Sequence, residues 1–493
     1  MSFLASPRRA LRPALLAGTV VALTGLAACA PDLGPAATIK GPETYASTRS
    51  VEGPVAEWPA DHWWKAYNDP QLDGLIDAAL KGSPDLRVAE ARVRKAEGQT
   101  QEANAKLRPT VAASGSIKGT LIGTGMDLGE LEDSIPSDIQ FATQLGANIS
   151  YQLDFFGKNH AALAAATSLA EAARAEAASA RLQLSSAVAS AYADLMRLAA
   201  SRAALVDAVR VRRGTQELIG QRLSNGLENR GGYSQSSALA FASEADIAGV
   251  DRQIAQTRNR IAALLGAGPD RGLSIALPTT VQAHAFGLPA SLSADLIGRR
   301  PDIAAARARA EAAAKRTKAA KAEFYPNVDL VGSFLTLALG PQNLFDQSLR
   351  LTQFGPAVSL PIFSGGLAEG NYRVARAEYD EAVASYDGAV TQALREVADA
   401  VAASKSLQTE GAQARQSLAA AEDAHRIARM RYEGGLSPLL EVLNAESSLV
   451  DRRRAVAELQ ARALAADVAL VRALGGGYTD PKKTAQNPAP AAS

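Results

Sequence analysis

The chain has 493 residues, its 52 lysines and arginines nearly balance 51 aspartates and glutamates, and only 5% of residues are aromatic. Without a basic patch it is not a nucleic-acid binder. His62, His160, His284 and His425 show no metal spacing, and one cysteine cannot form an internal disulfide. No P-loop, zinc pattern or nucleophile beside a base occurs, so no catalytic class is supported.

Residues 1–28 read as a secretory signal segment, with Arg8, Arg9 and Arg12 ahead of an apolar run from Ala14 to Leu26. The run ends in Leu26-Ala27-Ala28-Cys29, which resembles a bacterial lipobox and makes Cys29 the expected lipidation site. Ala30 after it, rather than aspartate, resembles sorting to the outer membrane. Residues 29–60, rich in Pro, Gly, Ser and Thr, read as a tether. No later window has about 18 consecutive apolar residues, so any spanning of a membrane must be by β-barrel.

The remainder is written twice. The first copy, residues 61–266, opens with Trp63, Trp64 and Tyr67 as packing anchors and a short helix from Gln71 to Leu80. Ser83-Pro84-Asp85 then starts a helix, with proline in the first turn where its missing N–H costs nothing. The second copy, residues 296–478, repeats this at Arg300-Pro301-Asp302, an offset of 217 (301 − 84), and Pro109 and Pro326 keep the same register. Beyond each of those prolines the period becomes alternating. Leu145, Ala147, Ile149, Tyr151, Leu153 and Phe155 alternate with polar or small residues, as do Phe354, Pro356, Val358, Leu360 and Ile362. Weaker partners near Val111 to Leu121 and Val328 to Leu339 complete two β-hairpins, 110–156 and 327–363. One greasy and one wet face over about ten residues suits an outer-membrane barrel strand.

A long helix follows each hairpin, 158–223 and 366–432, proline-free and rich in alanine and unbranched side chains. Leu184, Val188, Ala191, Leu195 and Leu198 give it a lengthwise packing seam. At 1.5 Å per residue each helix is roughly 100 Å long, too long for the core of a compact domain. The turns Arg222-Leu223-Ser224-Asn225-Gly226-Leu227 and Arg431-Tyr432-Glu433-Gly434-Gly435-Leu436 match at an offset of 209 (435 − 226), and a shorter helix returns from each. Residues 267–295 form a Pro/Gly-punctuated crossover, and residues 479–493 a disordered tail. The fold class is mainly α with a β part, internally duplicated. Four strands cannot close a barrel and lipid does not tolerate open edges, so several copies must share one. A hollow tube results.

Trp64-Lys65-Ala66-Tyr67-Asn68-Asp69-Pro70-Gln71-Leu72, Tyr151-Gln152-Leu153-Asp154-Phe155-Phe156-Gly157 and Leu360-Pro361-Ile362-Phe363-Ser364-Gly365-Gly366 carry a family resemblance, with Arg300-Pro301-Asp302-Ile303 and Ala473-Leu474-Gly475-Gly476-Gly477. Together they resemble the outer membrane efflux factors, the TolC/OprM/NodT lipoprotein type. That resemblance implies a homotrimer with a 12-stranded β-barrel, a long periplasmic α-barrel and an equatorial band formed by the termini and crossover. It implies an exit duct that passively conducts drugs or other small toxic solutes. Its partners would be a periplasmic adaptor and an inner-membrane transporter of RND type, and its cofactors none beyond the lipid on Cys29. Type I protein secretion and metal-ion efflux are alternatives within the family. A periplasmic adaptor lipoprotein is a more remote one, requiring a single helical hairpin between lipoyl-like halves.

By the same resemblance the periplasmic gate lies just past the second turn, at Tyr432, Glu441 and Asn444. Three copies of Glu441 would form an anionic ring that attracts cations, although a first-turn acid also suits the helix dipole. Asn444 stands where one family type has a second aspartate. The adaptor-docking tip would comprise Arg222, Gly226, Leu227, Arg431, Gly435 and Leu436. Helix-turn glycine chemistry accounts for the glycines equally.

Overall fold

The computed structural model describes residues 30–41, 44–45, 50–51, 56–120, 139–278, 288–289, 296, 298–346 and 348–480. The signal segment, Cys29, the loop 121–138, most of the crossover beyond residue 278 and the tail from residue 481 lie outside them.

Two compact units are present. The first contains Arg94–Glu171 and Ala308–Ala384, hence the whole sheet; the second contains Ile39–Val93, Ala172–Arg307 and Ser385–Ser493. The helices are α1 (Pro70–Gly82), α2 (Pro84–Ala105), α3 (Lys158–Ser224), α4 (Arg230–Leu264), α5 (Pro301–Ala322), α6 (Leu367–Glu433) and α7 (Leu439–Ala473). The strands are β1 (Thr110–Thr120), β2 (Gln140–Leu153), β3 (Asn327–Leu339) and β4 (Ser348–Ser359). The duplication is reproduced to the residue. Helices α3 and α6 have 67 residues each and α4 and α7 have 35 each, with starts offset by 209 (367 − 158 and 439 − 230). Helices α2 and α5 have 22 residues each at an offset of 217 (301 − 84).

In the first unit the strands form an antiparallel sheet in the order β1-β2-β3-β4, leaving one edge of β1 and one of β4 unpaired among the described residues. Register puts Val111, Leu145, Ala147, Ile149, Leu330, Phe334, Phe354 and Val358 on one face. Ser114, Ser116, Gln144, Asn148, Ser333 and Gln353 share the other. The boundaries differ from the sequence expectation. β4 stops at Ser359, so Leu360-Pro361-Ile362 lies beyond it; a second proline after Pro356 would remove another ladder donor. The polar face also breaks near the hairpin loop, where Leu335, Leu337, Leu349 and Leu351 fall on the side of Gln144. Opposite them Thr336, Arg350 and Thr352 turn outward. The amphipathic sense of β3–β4 therefore inverts at its loop end.

The helices of this unit are fastened twice in the same way. Thr100 donates its hydroxyl to the α3 carbonyl of Ala166 (3.3 Å), and Thr317 donates to the α6 carbonyl of Ala375 (2.9 Å). At the foot of the sheet Asp154 accepts from the amides of Asn159 (3.1 Å) and His160 (2.8 Å), capping the start of α3. The Asn159 side chain donates to Gln152, and Gln152 donates to Asn327. These bonds account for the Tyr151–Gly157 motif.

The second unit buries Trp63, Trp64 and Tyr67 with Leu72 and Ile76 of α1 against Val188, Tyr192 and Leu195 of α3 and Leu464 and Val468 of α7. The anchor reading of the tryptophans is thus correct. Asp69 caps α1 through the amides of Gln71 (2.8 Å) and Leu72 (3.1 Å) and accepts from Tyr192 Oη at 2.7 Å. The closing glycines serve close approach. A Cβ on Gly266 would stand 2.4 Å from the carbonyl oxygen of Gly82, and one on Gly475 would stand 2.0 Å from that of Arg299, the repeat-related contact. Arg300 is buried and forks onto Asp302 (2.6 and 3.0 Å), reaching Glu396 and the Ala473 carbonyl at 2.9 Å. Described residues of the stretch read as a tether bond to helix α6. In the first unit Ala37 donates to Asp380 of α6; in the second Lys40 pairs with Asp387 and Tyr45 donates to it.

Both helical hairpins carry an ion pair at one repeat position with the signs exchanged. Arg213 of α3 meets Glu244 of α4 at 2.6 Å, and Glu422 of α6 meets Arg453 of α7 at 3.0 Å.

Candidate functional site

The turn between α3 and α4 and the turn between α6 and α7 lie in the second unit. Each is a Schellman ending. Leu227 N donates to the Arg222 carbonyl (2.8 Å) and Gly226 N to that of Leu223 (3.1 Å); Leu436 N donates to Arg431 (2.7 Å) and Gly435 N to Tyr432 (3.0 Å). Gly226 and Gly435 hold φ of 71° and 73° with open space where a Cβ would be. Backbone conformation, not crowding, is why they are glycines. Leu227 and Leu436 beside them are 65% and 74% exposed.

Tyr432, the last turn of α6, is buried and donates its hydroxyl to Glu228 Oε2 at 2.7 Å. The other Glu228 oxygen accepts the Asn229 amide at 2.9 Å. The Arg222 guanidinium stacks on the Tyr432 ring, 4.6 Å from its centroid, and donates to the Glu433 carbonyl at 3.3 Å. Glu228 is held below the usual glutamate value by the Asn229 amide first, then by the Tyr432 hydroxyl, then by Arg222. Burial and the Glu228 carboxylate push the Tyr432 phenol up to about 12. Between those limits the bond stays neutral hydroxyl to carboxylate, the strong charge-assisted kind.

Farther along α7, Glu446 is 1% exposed. It accepts the Thr215 hydroxyl at 2.5 Å and faces Arg212 Nε at 3.8 Å. Arg212 also donates to Ser243 and to the Leu239 carbonyl of α4. Burial pushes Glu446 up, opposed by the Thr215 bond and by the charges of Arg212 and Arg429. Helix α7 is thereby fixed to α3 and, through Arg212, to α4.

Of the residues named from sequence, Tyr432 and Arg222 come together as parts of one junction. Glu441 and Asn444 lie apart from it, both exposed, one turn from each other on α7. Arg431 contributes its backbone carbonyl to the second turn, and its side chain is exposed. Sequence reading missed Glu228, Glu446, Thr215 and Arg212. The available signal was a glutamate among the apolar positions Val442, Leu443 and Leu449 of α7.

No helix of the described residues is long and apolar enough to cross a membrane, and none of their acidic, histidine and cysteine clusters could hold a metal. The family profile described as outer membrane efflux protein matches residues 75–267 and 292–476. The chain belongs to the outer membrane efflux protein family. This efflux protein is 30% identical over 475 residues, covering 94% of it and 95% of the relative, to the multidrug resistance outer membrane protein MdtP of Shigella flexneri. It is 33% identical over 434 residues, covering 85% and 86%, to the outer membrane protein OprJ of Pseudomonas aeruginosa. Its structure matches that of the outer membrane protein VceC of Vibrio cholerae with a TM-score of 0.79 at 41% identity, covering 85% of this chain and all of that one. The efflux protein is thus an outer membrane channel of the TolC-like trimeric fold, extending into the periplasm.

Proposed function

We propose that this protein is the exit duct of a tripartite efflux system, conducting drugs or other small toxic solutes passively from an adaptor and an inner-membrane RND transporter to the exterior. The observation that carries this is the four-stranded sheet. Away from its loop end it has one greasy and one wet face, and two of its edges are unpaired among the described residues, in a chain whose relatives are named as multidrug-resistance outer membrane proteins. Open edges in lipid are prohibitive, so three copies join β4 to the next β1 and enclose a lumen. Energy comes from the partner pump, and the duct itself performs no chemistry.

The turn region is the gate in this reading. Tyr432–Glu228 and Arg222–Tyr432 fasten the α6–α7 hairpin to the α3–α4 hairpin, and opening must break them. Three copies of the exposed Glu441, with Asn444, line the aperture as a cation-attracting ring. The exposed Leu227 and Leu436 at the glycine turns receive the adaptor. Cys29 carries the lipid anchor.

Native mass spectrometry and planar-bilayer recording test the reading together. A trimer with a through-current is expected, and Tyr432→Phe should raise the open probability about tenfold or more, since a hydrogen bond to a charged group is worth about 1.5–3 kcal/mol. A monomer that conducts nothing would overturn it.

A further inference from the structure

We infer that the second unit holds a binding site for a small organic anion, an apolar body carrying one carboxylate, in the cavity between α3, α5 and α7. The cavity has a volume of about 530 Å³, within the usual range for small-molecule sites, and its lining residues all belong to that unit. On α3 it takes Leu182, Ser186 and Ser190, which are out of phase with the anchor-covered Val188, Tyr192 and Leu195. It therefore opens on the face of α3 opposite the buried tryptophans.

The charges around the cavity are unevenly engaged. Its two carboxylates are saturated. Asp302 accepts from Arg300 on both oxygens (3.0 and 2.6 Å) and from the Ile303 amide (2.9 Å). Glu396 accepts from Arg300 on one oxygen (2.9 Å) and from Gln392 on the other (3.0 Å). Donors, by contrast, are left over. Arg472 lines the cavity and is exposed, with no side-chain hydrogen bond or ion pair among the described residues. Arg260 meets Asp194 only at 3.6 Å, with both side chains exposed. Ser186 is 3% exposed, and its hydroxyl has no hydrogen-bond partner among the described residues. Two guanidiniums and a buried hydroxyl favour a ligand that accepts, and a planar carboxylate matches the guanidinium fork. Leu182, Ala187, Pro301 and Ala469 supply an apolar wall for the rest of it.

Ending α7 does not itself require an arginine. At the repeat offset of 209 the counterpart of Arg472 is Ala263, and the last turn of α4 has no basic residue. Both helices nevertheless end alike, with Gly266 N on the Ala263 carbonyl (2.9 Å) and Gly475 N on the Arg472 carbonyl (3.0 Å). The guanidinium is an addition of the second repeat, at the helix end that borders the cavity. The site lies within one chain and needs neither a closed barrel nor a neighbouring copy.

The test is isothermal titration calorimetry of the full-length protein in detergent, with the heat of titration into empty micelles subtracted. The probes are butylbenzoate, the uncharged butylbenzamide, and acetate. Saturable binding of butylbenzoate at one site per chain is expected, with the amide and acetate each weaker by about tenfold or more, the scale of one charge-assisted contact. Arg472→Gln should weaken butylbenzoate by about tenfold. Ala469→Phe, which fills the cavity and keeps every charge, should abolish binding. Both positions are exposed, so each variant should keep the parent's thermal midpoint. No saturable binding by the parent protein, or equal affinity for the amide, overturns the anion site. Acetate binding as tightly as butylbenzoate overturns its apolar half, and undiminished binding by both variants places the ligand elsewhere and overturns the assignment. A conducting trimer that binds nothing would remove this site and leave the channel reading intact, whereas a non-conducting protein that binds would do the reverse.

Discussion

Glu228 and Glu446 are both glutamates joining the same two hairpins, yet they respond to pH in opposite senses. Glu228 has its value lowered below 4.5 in the junction. Its contribution is therefore present above that ordinary value and is lost only as the pH falls through the lower one. Glu446 has its value raised above 4.5 by burial. The fold is then less stable with Glu446 ionised, and it gains stability as the pH falls through the raised value toward 4.5. The thermal midpoint should accordingly rise on acidification within that window. Glu446→Gln should flatten the dependence there, since an amide keeps a partner for Thr215 without titrating. A dependence unchanged in the variant would assign the effect to another group.

Among the elements, the two glycine turns are the parts whose sequence and structure correspond most directly. Open space around Gly435 means that Gly435→Ala meets no clash and costs only the left-handed conformation, about 1–2 kcal/mol. The substitution should lower the thermal midpoint by a few degrees or less while leaving trimer assembly unchanged. Crowded Gly475 should not tolerate alanine, because the Cβ would meet the Arg299 carbonyl. These turns, the four long helices and both hairpins were legible because each rests on local chemistry: proline at a first turn, period 3.6 against period 2, glycine at positive φ. The junctions were not. Tyr432 lies 204 positions from Glu228, and Thr215 lies 231 from Glu446, so no window of sequence contains both partners. Nor was the landing of Ala37, Lys40 and Tyr45 on α6 legible, since Pro- and Thr-rich composition describes a free linker and a surface-laid strap alike. The leucines at the loop end of β3 and β4 misled for another reason. Alternation resumes there out of phase, because Phe334 and Leu335 are adjacent apolar residues, so a single greasy face read along the whole strand does not describe its loop end.

At the scale of the molecule, duplication has given a chain with two hairpins of the same length, each able in principle to take the other's partner. During folding, α3 could zip onto α7 in place of α4, and α6 onto α4, in matching register. The exchanged ion pairs act against this. Such a swap would set Arg213 of α3 opposite Arg453 of α7, and Glu422 of α6 opposite Glu244 of α4, two like-charge contacts where the native pairing has two attractions. Each native pair is partly solvated and adds at most about 1 kcal/mol to the finished fold. Reversing one pair, Arg213→Glu with Glu244→Arg, should therefore leave the melting temperature almost unchanged and yet lower the yield of correctly refolded protein. An equal refolding yield would show that the swapped intermediate is not populated. The sign of a surface ion pair would then serve as a record of which half each helix belongs to, read while the chain is still choosing its neighbours.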